Sequence, residues 1–106
     1  MNIMAWAVFL WAAVLEVGGD ALIRKGLRSQ GILLILLGFL ALGCYGLVVN
    51  IVRWDFSKMI GVYVAVFACI SVLCGKFLFH DAIPSTTWIG LTLIVTGGLI
   101  IQSGVR

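Results

Sequence analysis

Apolar residues in this chain run in long unbroken stretches separated by short polar knots. Four stretches stand out: Ile3–Leu22, Ile32–Val52, Met59–Phe79 and Thr86–Ser103. A helix needs about 20 apolar residues to cross the hydrocarbon core of a bilayer, and each stretch meets or approaches that length. The knots are Ile23–Gly31, with Arg24, Lys25, Arg28, Ser29 and Gln30; Arg53–Lys58, with Asp55; and His80–Ser85, with Asp81 and Pro84. None is long enough to hold a domain of its own. The pattern does not alternate with period two and the stretches are too long for barrel strands. Backbone in lipid must pair internally, so helices are the remaining choice. The expectation is an all-α membrane protein, one four-helix transmembrane domain over residues 1–106.

Composition strengthens this reading. Of 106 residues, 63% are hydrophobic and 10% charged, against roughly 25% charged in a soluble domain. The net charge of +3 comes from seven basic residues scattered between apolar runs, so no continuous patch for nucleic acid is expected. Thirteen glycines would weaken soluble helices, but in membrane helices small residues let backbones approach. Gly61, Ala65 and Cys69 form a small-residue stripe, and Gly90, Gly97 and Gly98 form a comparable groove on the last helix. The first stretch is not expected to be a cleaved signal peptide: no basic leader precedes it, and Glu16 and Asp20 interrupt it. Cys44, Cys69 and Cys74 all fall inside apolar stretches without metal-ligand spacing, and are expected to be small buried hydrophobes.

Four spans would put both termini and Arg53, Lys58 and Arg106 on one side, with Arg24, Lys25 and Arg28 on the other. Basic residues normally decide orientation. Here the count is three against three, with Lys76 as tie-breaker, so insertion in both orientations is expected.

The chemistry is concentrated in the first span. Glu16 lies deep in apolar sequence between Leu15 and Val17, and an ionisable group inside a span marks a functional site by default. Asp20 and Arg24 follow at four-residue steps on the same face; an Asp20–Arg24 ion pair would give Asp20 a purely structural role. A membrane carboxyl that loses a proton when a cation arrives is the minimum machinery of a proton/cation exchanger. No enzyme is expected, since His80 is the sole histidine and no serine or cysteine has a base at a recognisable spacing. No cofactor or metal is expected either. Tyr63 and Phe67, four apart on the third span, and Tyr45 on the second offer aromatic faces for an organic cation and hydroxyls for a carboxylate; the alternative for each is ordinary packing. Trp6, Trp11, Trp54 and Trp88 are read as interfacial anchors, the last two by their place near span ends.

These residues also carry a family likeness. The length, the four spans, the run Ala13-Val14-Leu15-Glu16-Val17-Gly18-Gly19 and the ending Trp88-Ile89-Gly90-Leu91-Thr92-Leu93-Ile94-Val95-Thr96-Gly97-Gly98-Leu99-Ile100-Ile101 resemble the small multidrug resistance transporter superfamily over nearly the whole chain. Asp55-Phe56-Ser57-Lys58 followed by an aromatic third helix looks like its YnfA-type branch. The drug- and guanidinium-exporting branches usually have a proline-containing turn before the third helix, and a tryptophan and glycine-rich stretch within it. Here Tyr63, Ala65 and Phe67 stand in that helix, and Asp20 and Lys76 are also unusual.

The resemblance implies an antiparallel homodimer in a bacterial inner membrane, with both glutamates facing one chamber. It also implies proton-coupled export of small organic cations by alternating access, a third helix that bends to switch the open side, and dimer contact through the last helix with Gly90, Gly97 and Gly98. Two alternatives come from other classes: a non-transporting subunit or chaperone of a larger membrane assembly, and a lipid-linked sugar flippase.

Overall fold

The structure is a computed structural model that describes residues 3–104; Arg106, counted above for orientation, lies outside them. It contains α1 (Ile3–Ser29), α2 (Ile32–Val49), α3 (Phe56–Leu78) and α4 (Ser85–Gln102), with no strand among the described residues. All four helices are long and apolar enough to cross a membrane. The chain divides into two compact units, Met1–Val52 and Arg53–Arg106. Each is a helical hairpin, α1 on α2 and α3 on α4.

The first connection differs from the sequence expectation. Residues 23–29, read as a polar knot, continue α1 as helix. The apolar stretch marks what lipid covers, whereas helix persists wherever backbone bonds and propensity allow, and Arg24, Lys25 and Arg28 are good helix formers. At 1.5 Å per residue, the 27 residues of α1 span about 40 Å, longer than the roughly 30 Å hydrocarbon core. Its charged final turns can therefore stand in the headgroup layer. The helix stops at Gln30, whose φ of 57° is left-handed, while the Gly31 N–H donates to Gly26 O at 2.8 Å. That is a Schellman-type ending, and it turns the chain straight into α2.

Glycine shapes the first hairpin's seam. A Cβ on Gly19 would lie 2.9 Å from Gly38 O and 2.9 Å from Leu42 Cγ. One on Gly38 would lie 2.7 Å from Gly19 O, and one on Gly26 would lie 2.8 Å from Gly31 O. The two backbones approach as closely as they do because these three side chains are missing. α2 ends earlier than its apolar stretch, at Val49: Asn50 donates its side-chain N–H to Gly46 O at 2.7 Å. Polar side chains that bond locally to the backbone compete with helix continuation, and residues 50–55 then form the connection.

The second hairpin opens with Asp55, whose carbonyl accepts the Met59 N–H at 2.9 Å. Gly61 and Ala65, members of the predicted small-residue stripe, face α4: a Cβ on Gly61 would lie 2.8 Å from Ile101 Cδ1, and one on Gly98 would lie 2.7 Å from Ala65 Cβ. Near the open end of the hairpin, Lys58 Nζ donates to Gly104 O at 3.4 Å and lies 4.7 Å from the Trp54 ring centre. In α4, Thr92 and Thr96 turn their hydroxyls back onto Trp88 O and Thr92 O at 2.9 and 2.8 Å. Both hydroxyls are satisfied within the helix, as burial in lipid requires.

Large apolar side chains face outward in number, among them Leu33, Leu40 and Leu47 on α2 and Leu93 and Ile100 on α4. Such surface would drive aggregation in water; in a bilayer it is the solvated side.

Candidate functional site

Glu16 is half-buried in the middle of α1. It lies one turn before Gly19, one of the glycines where α1 and α2 approach closely, so its carboxyl is carried next to the seam of the hairpin. Tyr45 is one turn beyond Leu42, the α2 residue that meets Gly19. The two helices run antiparallel, so this register brings the half-buried Tyr45 phenol to the Glu16 level, within electrostatic range of the carboxylate. The first hairpin therefore joins two of the expected site residues. Gly18, also beside Glu16, has open space where a Cβ would stand.

Asp20 is exposed and takes part in no ion pair among the described residues. The expected alternative of a pair with Arg24 is thus not formed, and Asp20 presents an uncommitted carboxylate one turn from Glu16.

Tyr63 and Phe67 belong to the second hairpin. Their four-residue spacing does place them together: the rings stack with centres 6.2 Å apart and planes inclined by 29°. Tyr63 is buried and Phe67 half-buried. The glycines of α4 separate into two groups. Gly98 is buried against Ala65 and serves the packing of α4 on α3, whereas Gly90 and Gly97 meet nothing within 4 Å of a built Cβ. Of the α4 glycines, only these last two have open space where a side chain would stand.

The tryptophans also separate. Trp11 is 67% exposed and Trp88 40% exposed. Trp6 instead packs edge-on against Phe9, with ring centres 6.2 Å apart, and buries its indole nitrogen without a hydrogen-bond partner among the described residues. The cysteines correct one expectation. Cys69 and Cys74 are half-buried but Cys44 is exposed, because α2 packs through one face only and buries just Gly38 and Val49 fully.

Sequence reasoning missed a pocket of about 460 Å³ where α3 ends and α4 begins, lined by Ser71, Gly75, Asp81, Pro84 and Thr87 among others. Its signal was Gly75, placed six residues before Asp81. The Asp81 N–H donates to Gly75 O at 2.9 Å, and a Cβ on Gly75 would lie 2.7 Å from Asp81 Oδ2. Absence of a side chain at Gly75 is what admits the carboxylate.

Four apolar helices in two glycine-seamed hairpins, with a carboxyl inside the first span, define a small helical integral membrane protein of the inner (plasma) membrane type. A family profile described as "Uncharacterised BCR, YnfA/UPF0060 family" matches residues 2–106, and the chain belongs to that family, a group resembling the small multidrug resistance proteins. It is 35% identical over 103 residues to a UPF0060 membrane protein of Saccharopolyspora erythraea, covering 93% of this chain and 92% of the relative. It is 32% identical over 97 residues to another from Halalkalibacterium halodurans, covering 90% of each. No solved structure matches the chain.

Proposed function

We propose that this protein is a proton-coupled antiporter that exports small organic cations by alternating access. It would work as an antiparallel homodimer and catalyse no covalent chemistry. The observation that carries the reading is Glu16: a half-buried carboxyl at mid-span, beside the α1–α2 seam and within electrostatic range of the Tyr45 phenol. A carboxylate at that depth is costly unless a proton or a cation accompanies it. Holding one or the other, and never neither, couples their movements in opposite directions. Tyr45 can steady the carboxylate through its hydroxyl; within the second hairpin, the half-buried Phe67 ring, stacked on the buried Tyr63, is the aromatic candidate for a cation's apolar groups. Asp20 adds negative charge one turn along, on the side toward the charged end of α1.

The test is transport by the purified chain in proteoliposomes carrying a pH gradient, against a panel of polyaromatic cations, guanidinium compounds and polyamines. Uptake of at least one cation with matching proton release is expected. Glu16→Gln should reduce it to the level of protein-free vesicles while the protein stays folded, since an amide cannot cycle a proton. Wild-type exchange by that variant would overturn the mechanism.

A further inference from the structure

We infer that the pocket between the end of α3 and the start of α4 binds a primary ammonium group, with Asp81 as its anion and the Ser71 and Thr87 hydroxyls as its remaining acceptors. Three observations carry this, all within the second hairpin and none dependent on Glu16. The first is an open surface pocket of about 460 Å³, lined by Ser71, Gly75 and Thr87 together with apolar Val72, Ile83 and Pro84, with the exposed Asp81 also on its wall. Its walls thus combine a few oxygen atoms with apolar surface, as small-ligand sites do.

The second is how Asp81 is held. Its backbone is tied to α3 by the 2.9 Å bond to Gly75 O, and Oδ2 occupies the space a Gly75 side chain would fill. The preceding residue, His80, has a left-handed φ of 57°, which folds the chain back so that Asp81 meets the helix. The carboxylate is nonetheless in no ion pair among the described residues, although Lys76 is one residue from Gly75. The Lys76 ammonium instead lies 5.5 Å and 5.8 Å from the ring centres of Phe77 and Trp88.

The third is Ser71. Four hydroxyls bond back to a carbonyl three or four residues earlier: Ser29 to Lys25 O, Thr92 to Trp88 O, Thr96 to Thr92 O and, just past the end of α4, Ser103 to Ile100 O. Ser71 is in mid-helix and could do the same to Phe67 O, yet it makes no such bond among the described residues and lines the pocket instead. Thr87, likewise at the wall, has an uncommitted hydroxyl too.

One carboxylate and two hydroxyls are acceptors for three donors. A primary ammonium carries three N–H donors and one positive charge. A quaternary ammonium has no donor and would call for an aromatic cage, which this wall lacks. The primary ammonium can come from a free amine or from an ethanolamine lipid headgroup, and the location at the end of a membrane span suits either.

The experiment uses the full chain carrying Glu16→Gln, so that the proposed transport site does not contribute and failure of that reading leaves this one intact. In phosphatidylcholine nanodiscs, n-butylammonium binding is measured by calorimetry, with tetramethylammonium as competitor. In a parallel arm, retention of phosphatidylethanolamine through purification is measured by mass spectrometry.

Saturable butylammonium binding that tetramethylammonium does not displace, weakened about tenfold or more by Asp81→Asn, supports a free-amine site; removal of a charged hydrogen-bond acceptor has an effect of that size. Selective retention of phosphatidylethanolamine, lost in Asp81→Asn, supports a lipid headgroup. Gly75→Ala, whose methyl would push the carboxylate aside, should weaken the same signal without altering the Asp81 charge, and it stands in if Asp81→Asn misfolds. Absence of both signals, equal competition by tetramethylammonium, or indifference to both substitutions would overturn the proposal.

Discussion

Glu16 is the acid of the proposed mechanism, and its surroundings bear on stability as well as on transport. The carboxyl is half-buried in an apolar span, where removing its charge would ordinarily relieve a cost. Glu16→Gln is therefore expected to retain or gain thermal stability in detergent while losing transport. That combination distinguishes a functional carboxyl from a structural one, whose loss would lower stability. Tyr63 can be tested in the same way. Tyr63→Phe keeps the ring stacked on Phe67 and removes only a hydroxyl, so it should weaken proton coupling by up to about tenfold, the range of one hydrogen bond. Tyr63→Ala also removes the aromatic face, and should lower cation affinity by a further factor on the order of tenfold. Transport assayed at several pH values reads coupling, and equilibrium binding reads affinity. Unchanged values in both variants would leave Tyr63 as a packing residue.

At the level of helices, neighbouring glycines should behave very differently. Gly19→Ala would place a methyl 2.9 Å from Gly38 O and Leu42 Cγ. Backbone cannot yield as a side chain can, so a loss of about 1–3 kcal/mol is expected, the usual range for overpacking. Gly18→Ala points into open space and should be neutral, or stabilising by up to about 1 kcal/mol from helix propensity alone. Unfolding of each variant in mixed micelles checks both values. The same logic applies to α4. Gly98→Ala meets Ala65 Cβ and should weaken the α3–α4 hairpin. Gly97→Leu has room within the chain, and should leave the hairpin intact but disrupt self-association if α4 forms the dimer contact. Crosslinking in membranes measures the second effect; an undiminished dimer would remove Gly97 from that role.

The whole molecule raises the question of orientation. Lys and Arg tie at three on each side apart from Lys76, so small additions should tip the population strongly. Two or three lysines after Arg106 are expected to fix the termini inside, and the same number around Ser29 to fix them outside. An antiparallel dimer requires both orientations. Either fixed form alone should then be inactive, and co-expression should restore transport. Cysteine labelling from each side of the membrane reports orientation alongside the transport assay. Full activity from one fixed orientation would argue for a parallel dimer or a larger complex.

The four helices were legible from sequence because crossing a bilayer demands a length of apolar residues that nothing else in a short chain requires. The Glu16 position was legible for the complementary reason, since a charge inside such a length stands out. Spacing alone also placed Tyr63 on Phe67, because a helix repeats its face every three to four residues. Helix ends were less legible. Apolarity reports contact with lipid, so it stopped at Leu22, while the backbone bonds of α1 continued to Ser29.

Only the tertiary structure showed which of the glycines are seams and which are open, because a missing side chain says nothing of what will fill its space. Gly18 and Gly19 are adjacent and identical in sequence, and so are Gly97 and Gly98. In each pair one faces a neighbouring helix and the other does not. The pocket at Asp81 depended on the same thing. Its carboxylate, the Ser71 hydroxyl and the gap at Gly75 come from a helix and the loop after it, and the left-handed turn at His80 is what brings them together.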